Sequence, residues 1–423
     1  MTRRGGQYVA YLLPDPGIPV GGTKGASVHV ESLCAAMARA GTYVVLYAAN
    51  VVGPLRAPGS DTVRVVPLDV GKVHSGAGGD RSRVAAAASF FEQVGRHLDR
   101  RRPDWVHERL SLFAGGGSAV CAARGLSRVV EINAPVSSER LRHFGLELVA
   151  EAERAERDAL REARVLAVSQ PLAEWALAGG ASEALVVPNG ADTDGLDPAL
   201  WASRRGDIRR RLGLAGRVVV GFAGSLKPWH GIEVLFDAVA RASRRHPLGL
   251  LVVGDGPGRS AAELAVRALP ASVTPVLTGS VPFSEIPRYL AAMDISVAPY
   301  LPAEDFYFSP LKVAEAMAAG LAVVASDFPP IRELLGSTGV LVAPGNADSL
   351  ASAIESLVLD STSRAHLGTS ARIRAVRHLG WTAVAARALA FGEGREGRAG
   401  RAGREGRAGR AERAQLLGAP RAR

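Results

Sequence analysis

The chain has 423 residues, 47% hydrophobic and 22% charged, which excludes a disordered or fibrous protein. Its net charge of +10 would suit a nucleic-acid binder, but half of it sits in Glu393–Arg423, where nine arginines meet four glutamates, and no basic stripe with interleaved aromatics occurs elsewhere. Two cysteines, Cys34 and Cys121, cannot build a disulfide framework or a metal site, and no apolar run approaches the roughly 18–20 residues needed to cross a bilayer.

At about 150 residues per domain the length predicts two or three domains. After the basic start Met1–Gly6, the apolar run Gln7–Leu13 stops at Pro14 without a small-residue cleavage site. It reads as a buried strand, and a signal peptide is not expected. Strands are predicted at Tyr8–Leu13, Tyr43–Ala48, Val63–Pro67, Trp105–Glu108, Val129–Ile132, Val165–Val168 and Leu185–Val187, alternating with Ala-rich helices. Apolar, β-branched strands in a βαβα rhythm predict a doubly wound parallel sheet. The turn residues Pro188-Asn189-Gly190-Ala191-Asp192 break the rhythm, so the first domain is placed at 1–192. A second series follows at Val218–Ala223, Gly249–Val253, Val276–Thr278, Ile295–Ala298, Ala322–Ala325 and Gly339–Val342, giving a second Rossmann-like domain at 193–374. Gly recurs at every third position from Gly394 to Gly409 with no Pro there, so the tail 393–423 is expected to be disordered.

The chemistry is concentrated at the carboxyl ends of strands, where open α/β sheets bind ligands. Gly21-Gly22-Thr23-Lys24-Gly25-Ala26-Ser27 follows the first strand and opens a helix, which lets the backbone approach an anion; an ordinary strand-to-helix loop is the equal alternative. In the second domain, Gly224-Ser225-Leu226-Lys227-Pro228-Trp229-His230-Gly231, Gly254-Asp255-Gly256-Pro257 and Gly279-Ser280-Val281-Pro282 each follow a strand, and Ser309-Pro310-Leu311-Lys312-Val313-Ala314-Glu315 enters a helix that Gly320 closes. Pro310 suits a first helical turn, leaving neighbouring N–H groups free for an anion. Lys312 adds a cation there, and Glu315, one turn on, can accept a pair of hydroxyls. A nucleoside diphosphate needs that set: a helix dipole and cations for pyrophosphate, a carboxylate for the ribose diol. Taken singly, the lysines would be solvated and Glu315 a helix-face residue; the ordered set favours function.

These four second-domain segments, with Asn189-Gly190 as an interdomain hinge and Gly22–Glu31 as an acceptor-side glycine loop, resemble the family 4 retaining glycosyltransferases of the GT-B fold. The resemblance covers roughly Tyr8–Trp381. It implies two Rossmann-like domains facing across a cleft, with the last helix, placed at 375–392, packing back on the first domain. It implies a nucleoside-diphosphate sugar (UDP or GDP) as donor and a hydroxyl acceptor: a glycan, a lipid or a small secondary metabolite. No cofactor or metal beyond the donor is expected, and no nucleic-acid partner. A cytoplasmic location is expected, with peripheral contact to an anionic inner membrane face.

By the same resemblance Glu315 is the second glutamate of an E-x7-E motif and holds the ribose; amides near Ser309, Pro310 and Leu311 hold phosphate or sugar; the Val281 segment meets the base; Gly22 approaches the pyrophosphate; Gly254 and Asp255 complete the donor side. Tyr307 stands where the first glutamate belongs, with Glu304 and Asp305 as substitute sugar contacts. Ser225 and His230 occupy the usual basic pair, so Lys227 and Lys312 are expected to carry the phosphate charge, with His230 assisting when protonated. On the acceptor side, Arg109 falls at the family's histidine with His107 two residues earlier, and Asn133 and His143 are further candidates. Asn133 equally suits a turn before Pro135, and His29 is expected to be a satisfied helix histidine. The rival readings are a catalytically silent sugar-nucleotide-binding protein, a sugar-nucleotide epimerase, and a basic scaffold acting through its tail.

Overall fold

In the computed structural model, residues 6–74 and 78–395 are described, and the tail from residue 396 lies outside them. The first domain holds β1 (Tyr8–Leu13), β2 (Tyr43–Ala48), β3 (Arg64–Pro67), β4 (Trp105–Arg109), β5 (Ser127–Ile132), β6 (Arg164–Ala167) and β7 (Glu183–Val186). They form one parallel sheet in the order β3-β2-β1-β4-β5-β6-β7. The second domain holds β8 (Val218–Ala223), β9 (Leu248–Val253), β10 (Val273–Leu277), β11 (Ile295–Ala298), β12 (Ala322–Ser326) and β13 (Val340–Val342). These also run parallel, in the order β10-β9-β8-β11-β12-β13. In both sheets the strand order reverses beside the first strand, the doubly wound arrangement that opens a crevice above the strand ends.

Strand alternation explains the unbroken apolar runs. In β1, Val9, Tyr11 and Leu13 pack under the helix Gly25–Arg39, while Tyr8, Ala10 and Leu12 pack on the opposite face with Phe90, Phe91 and Val94. Covering both faces leaves no position in β1 for a charged residue. β10 begins three residues earlier than its sequence suggests, at Val273, and includes Pro275. Proline is tolerated there because β10 is an edge strand and needs no N–H on its open side.

The chain crosses between domains twice, side by side. Ala191 N donates to Leu379 O at 2.8 Å, and Ala191 and Gly380 form a parallel bridge. The helix Ser361–His378 still belongs to the second domain, where Ala371, Ala375 and Leu379 pack with Met317 and Leu321. The part that packs back therefore starts at Trp381, not at residue 375: the helix Trp381–Gly392 buries Trp381, Val384, Ala385, Leu389 and Phe391 among Val9, Tyr11 and Leu33. At the end of this helix the approach is so close that a Cβ on Gly392 would lie 2.3 Å from the Trp105 ring, so only glycine fits there.

Candidate functional site

A cleft of about 1330 Å³ runs between the two sets of strand ends. Its second-domain wall begins where β8 runs into the loop Gly224–Gly231. Gly224 has φ +147, and a Cβ there would lie 3.0 Å from Lys312 Cε, so its missing side chain makes room for the lysine. Gly231 is left-handed at φ +64, and a Cβ would lie 1.8 Å from Pro299 O; the loop turns there only because the residue is glycine. Ser225 and Lys227 both line the cleft, the Lys227 ammonium lying 4.9 Å from the Trp229 ring centre.

Lys312 and Glu315 stand three residues apart on the helix Leu311–Ala318, and both reach the cleft. Lys312 Nζ lies 4.4 Å from the Phe222 ring centre and 5.0 Å from that of Tyr300. Loss of water lowers its pKa to about 7, against the opposing pull of Glu315. Burial likewise raises Glu315 to about 7, with Lys312 pulling it down and Asp192 pushing it up. Glu315 also reaches the hinge side, lining a small void with Gly190, Asp192 and Trp381. His230 corrects the sequence expectation of a protonated phosphate ligand. Its Nδ1 lies 2.5 Å from Ser225 O and 3.2 Å from Lys312 Nζ, and burial followed by the charge of Lys312 pushes its pKa down to about 3. The neutral ring donates its Nδ1–H to the Ser225 carbonyl, so its contact with Lys312 is packing and not a hydrogen bond.

Three other donor-side assignments shift by a few residues. Gly22 is absent from the cleft lining: its N–H donates to Pro19 O at 3.2 Å, and a Cβ would lie 2.8 Å from Pro19 Cγ. Thr23, Lys24 and Gly25 line the cleft in its place, and a Cβ on Gly25 would lie 3.2 Å from Leu311 Cδ1 of the opposite domain. Gly254 serves backbone packing, since a Cβ there would lie 2.0 Å from Gly224 O, and the exposed Asp255 accepts from Gly256 N at 2.7 Å. Neither lines the cleft. Val281 packs on the second-domain core, and Phe283 and Ile286 line the cleft just beyond it. Ser309, Pro310 and Leu311 do line it, but Ser309 is also tied to the hinge: its Oγ accepts from Asn189 N at 3.0 Å and its O from Asn189 Nδ2 at 2.7 Å.

The first-domain wall is organised by Glu131, a residue the sequence marks only as part of a strand end. Its carboxylate is buried where β1, β4 and β5 run beside the helix Gly25–Arg39. Oε2 accepts from Tyr11 Oη at 2.9 Å and meets His107 Nε2 at 2.8 Å. Oε1 accepts from Arg109 Nη1 at 2.8 Å and Asn133 Nδ2 at 2.5 Å, and His29 Nε2 lies 2.7 Å from the same oxygen. Burial alone would raise this carboxyl; the charge of His29, the close approach of both imidazoles and the Arg109 guanidinium outweigh it and hold it well below the usual range. Arg109, Asn133 and His29 line the cleft. His107 does not. It is fully buried and stacks on Tyr11 at 4.6 Å, because it lies two residues back from the strand end and so one rung below the rim. His29 is buried, as a helix histidine should be, yet neither of its ring nitrogens has a hydrogen-bond partner among the described residues; the Nε2 approach to Glu131 is a charge contact.

The rim holds the remaining candidates. His143 is exposed and stacks on Trp229 of the other domain at 4.6 Å, outside the cleft lining. Asp305 pairs with Arg142 across the rim at 2.8 Å and Glu304 is exposed, so neither substitutes for a carboxylate in the cleft. Glu139 and Asp15 are the carboxylates that line it besides Glu315. Tyr307 turns away into the first-domain core with Leu110, Val130 and Leu172, and its O accepts from Ser169 Oγ at 2.7 Å.

Comparison with known proteins agrees with this arrangement. Residues 217–360 match the family model described as Glycosyl transferases group 1, and residues 23–194 match that of Glycosyltransferase Family 4. The chain is similar to a GDP-mannose-dependent alpha-(1-6)-phosphatidylinositol monomannoside mannosyltransferase of Mycolicibacterium smegmatis, 31% identical over 52% of this chain. The chain spans 59% of that relative's length. It is also similar to an MMP alpha-(1->4)-mannosyltransferase of Mycolicibacterium hassiacum, 28% identical over 72% of this chain and 74% of the relative. Among solved structures, Anabaena Alr3699/HepE in complex with UDP superposes with a TM-score of 0.66 at 19% identity, covering 91% of this chain and 99% of that one, which establishes the shared GT-B fold.

Proposed function

The chain belongs to glycosyltransferase family 4, and from that premise we propose that it moves a hexose or hexosamine from a UDP- or GDP-sugar to a hydroxyl acceptor, with retention of configuration and without a metal. One observation carries the reading: Lys312, Glu315, the Gly224–Gly231 loop and the glycine loop of the other domain meet in a single cleft.

Breaking the anomeric C–O bond leaves negative charge on the departing nucleoside diphosphate and positive charge on the sugar. Lys312 and Lys227 would neutralise that leaving group, helped by the free N–H groups at the start of the helix Leu311–Ala318. Glu315 would clasp the ribose diol, and Phe283 and Ile286 would flank the base. Arg109, Asn133 and His29 would face the acceptor, the donor phosphate helping to take its proton. The acceptor is a glycan, a lipid or a small metabolite, met in the cytoplasm or at the inner membrane face; among the described residues no helix is long and apolar enough to cross a membrane.

A panel of UDP-, GDP- and ADP-sugars tests the donor by thermal shift. A donor at 100 times its dissociation constant should stabilise the protein by about 2.7 kcal/mol. No shift with any of them would end the proposal. A second reading, a silent nucleotide-sugar binder, draws support from Tyr307, which removes a carboxylate from the cleft and buries a ring in the other domain instead. Binding without transfer or donor hydrolysis would favour it.

A further inference from the structure

Five polar side chains from four separate places in the chain converge on the Glu131 carboxylate, and the outcome is asymmetric. Tyr11 and His107 lie behind it in the core, at 2.9 and 2.8 Å. Arg109, Asn133 and His29 lie before it at 2.8, 2.5 and 2.7 Å, and all three line the cleft. A carboxylate serving the core alone would not need donors on the cleft side, and cleft donors left alone would rotate freely. Arg109 has several rotatable bonds, and Asn133 stands in a loop before Pro135. Among the described residues, the side chain of each is hydrogen-bonded only to Glu131 Oε1. His29 presses against the same oxygen at 2.7 Å as an ion-pair contact, and both of its buried ring nitrogens are without a hydrogen-bond partner among the described residues.

We propose that Glu131 is a positioning residue for glycosyl transfer: its buried carboxylate fixes Arg109, Asn133 and His29 as one rigid polar wall against which the transferred sugar and the incoming hydroxyl are oriented. The inference rests on the transferase reading above and adds to it a residue that touches no substrate. Its role is geometric. The residues proposed to grip the nucleotide stand on the second domain and none is hydrogen-bonded to Glu131, so loss of Glu131 should leave nucleotide binding intact while the reacting groups lose their alignment. Misplacement of reacting groups by about 1 Å can cost roughly 100-fold in rate.

The test uses the full-length chain and the variants Glu131→Gln, Glu131→Asp and Asn133→Ala. UDP and GDP affinities are measured by calorimetry, and kcat and KM for turnover of UDP-glucose and GDP-mannose by release of the nucleoside diphosphate. In Glu131→Gln, kcat should fall roughly 100-fold, while KM for the donor and the nucleotide affinity change less than about twofold. Glu131→Asp, which keeps the charge on a shorter arm, should recover part of the loss. Asn133→Ala removes one wall member and its bond to Oε1, leaves Tyr11, His107 and Arg109 on the carboxylate, and should lower kcat on its own. Combined with Glu131→Gln it should add little, because the wall is already released. The retained nucleotide affinity guards against a Glu131 variant that is merely misfolded, since misfolding would abolish binding as well as turnover. Unchanged kcat in Glu131→Gln, or an Asn133→Ala effect that is fully additive with it, would overturn the positioning role. A wild-type chain that binds UDP or GDP yet turns over neither donor would instead overturn the transferase reading, and the positioning role with it.

Discussion

Nucleotide-sugar binding should weaken steeply as pH rises above 7, and Lys312 sets the size of the effect. In the free protein its pKa is about 7, because the ammonium has lost water and lies against Phe222 and Tyr300. A bound pyrophosphate would restore it to at least the ordinary lysine value near 10.4. The group is thus raised on binding: its contribution is complete below the free value and is lost as pH climbs above it. At pH 9 roughly 1% of free protein carries the charge, against half at pH 7, so affinity should drop about 50-fold, or about 2.3 kcal/mol. Glu315 works in the opposite direction. Its pKa of about 7 means that its ionised fraction only doubles over this interval, at most a twofold gain in its grip on the diol. Calorimetry with UDP-glucose or GDP-mannose, whose pyrophosphate does not titrate here, gives the affinity at each pH. Repeating it in buffers of different ionisation enthalpy should show uptake of about half a proton at pH 7, rising towards one at pH 8. Lys312→Met should bind weakly at every pH and lose the slope. A flat affinity from pH 7 to 9, or a slope that survives in Lys312→Met, would refute the reasoning.

Glu315→Gln should weaken UDP or GDP binding about 10- to 100-fold through loss of a charged acceptor, and titration with the 2′-deoxynucleotide should show that wild type discriminates against it while the variant does not. Trp381→Ala, which empties a buried site under Gly190 and beside His29, should cost about 3–5 kcal/mol in urea unfolding. Gly231→Ala forces a Cβ against Pro299 O at a left-handed position, so the loop must move; thermal melting should fall and nucleotide affinity with it, whereas Gly41→Ala, with open space around its Cβ, should spare binding.

The architecture was open to reading because both sheets are buried on two faces, which turns each strand into an apolar run bounded by turn residues. All thirteen predicted strands are present, and the largest boundary shift, at β10, came from a proline that an edge position tolerates. On the donor side, loop glycines and a helix-opening proline declare themselves locally, and Ser225, Lys227, Lys312 and Glu315 do line the cleft, whereas Gly22, Gly254, Asp255 and Val281 do not. On the other wall Arg109 and Asn133 line it, but the residue that joins them was not legible. Glu131 gathers Tyr11, His29, His107, Arg109 and Asn133 from across more than a hundred residues, and no local pattern announces a buried carboxylate. The alternation of β4 does hold the missing signal, since it places His107 and Arg109 on one side at different depths. A histidine in a phosphate loop suggests charge, whereas in the free protein burial first and then the neighbouring Lys312 hold the His230 imidazole neutral.

The paired passages at Ala191 and Gly380 carry a mechanical consequence. Two hydrogen-bonded chain segments at one edge leave the halves free to swing about that edge but resist sliding or twisting apart. Displacement then grows with distance from the axis. Glu315, lining a void with Gly190 and Asp192, would hardly stir during such a swing, while the Trp229–His143 stack and the Arg142–Asp305 pair at the rim would travel furthest. Any such opening would have to part the Trp229–His143 stack and the Arg142–Asp305 pair, contacts that join the two halves across the rim.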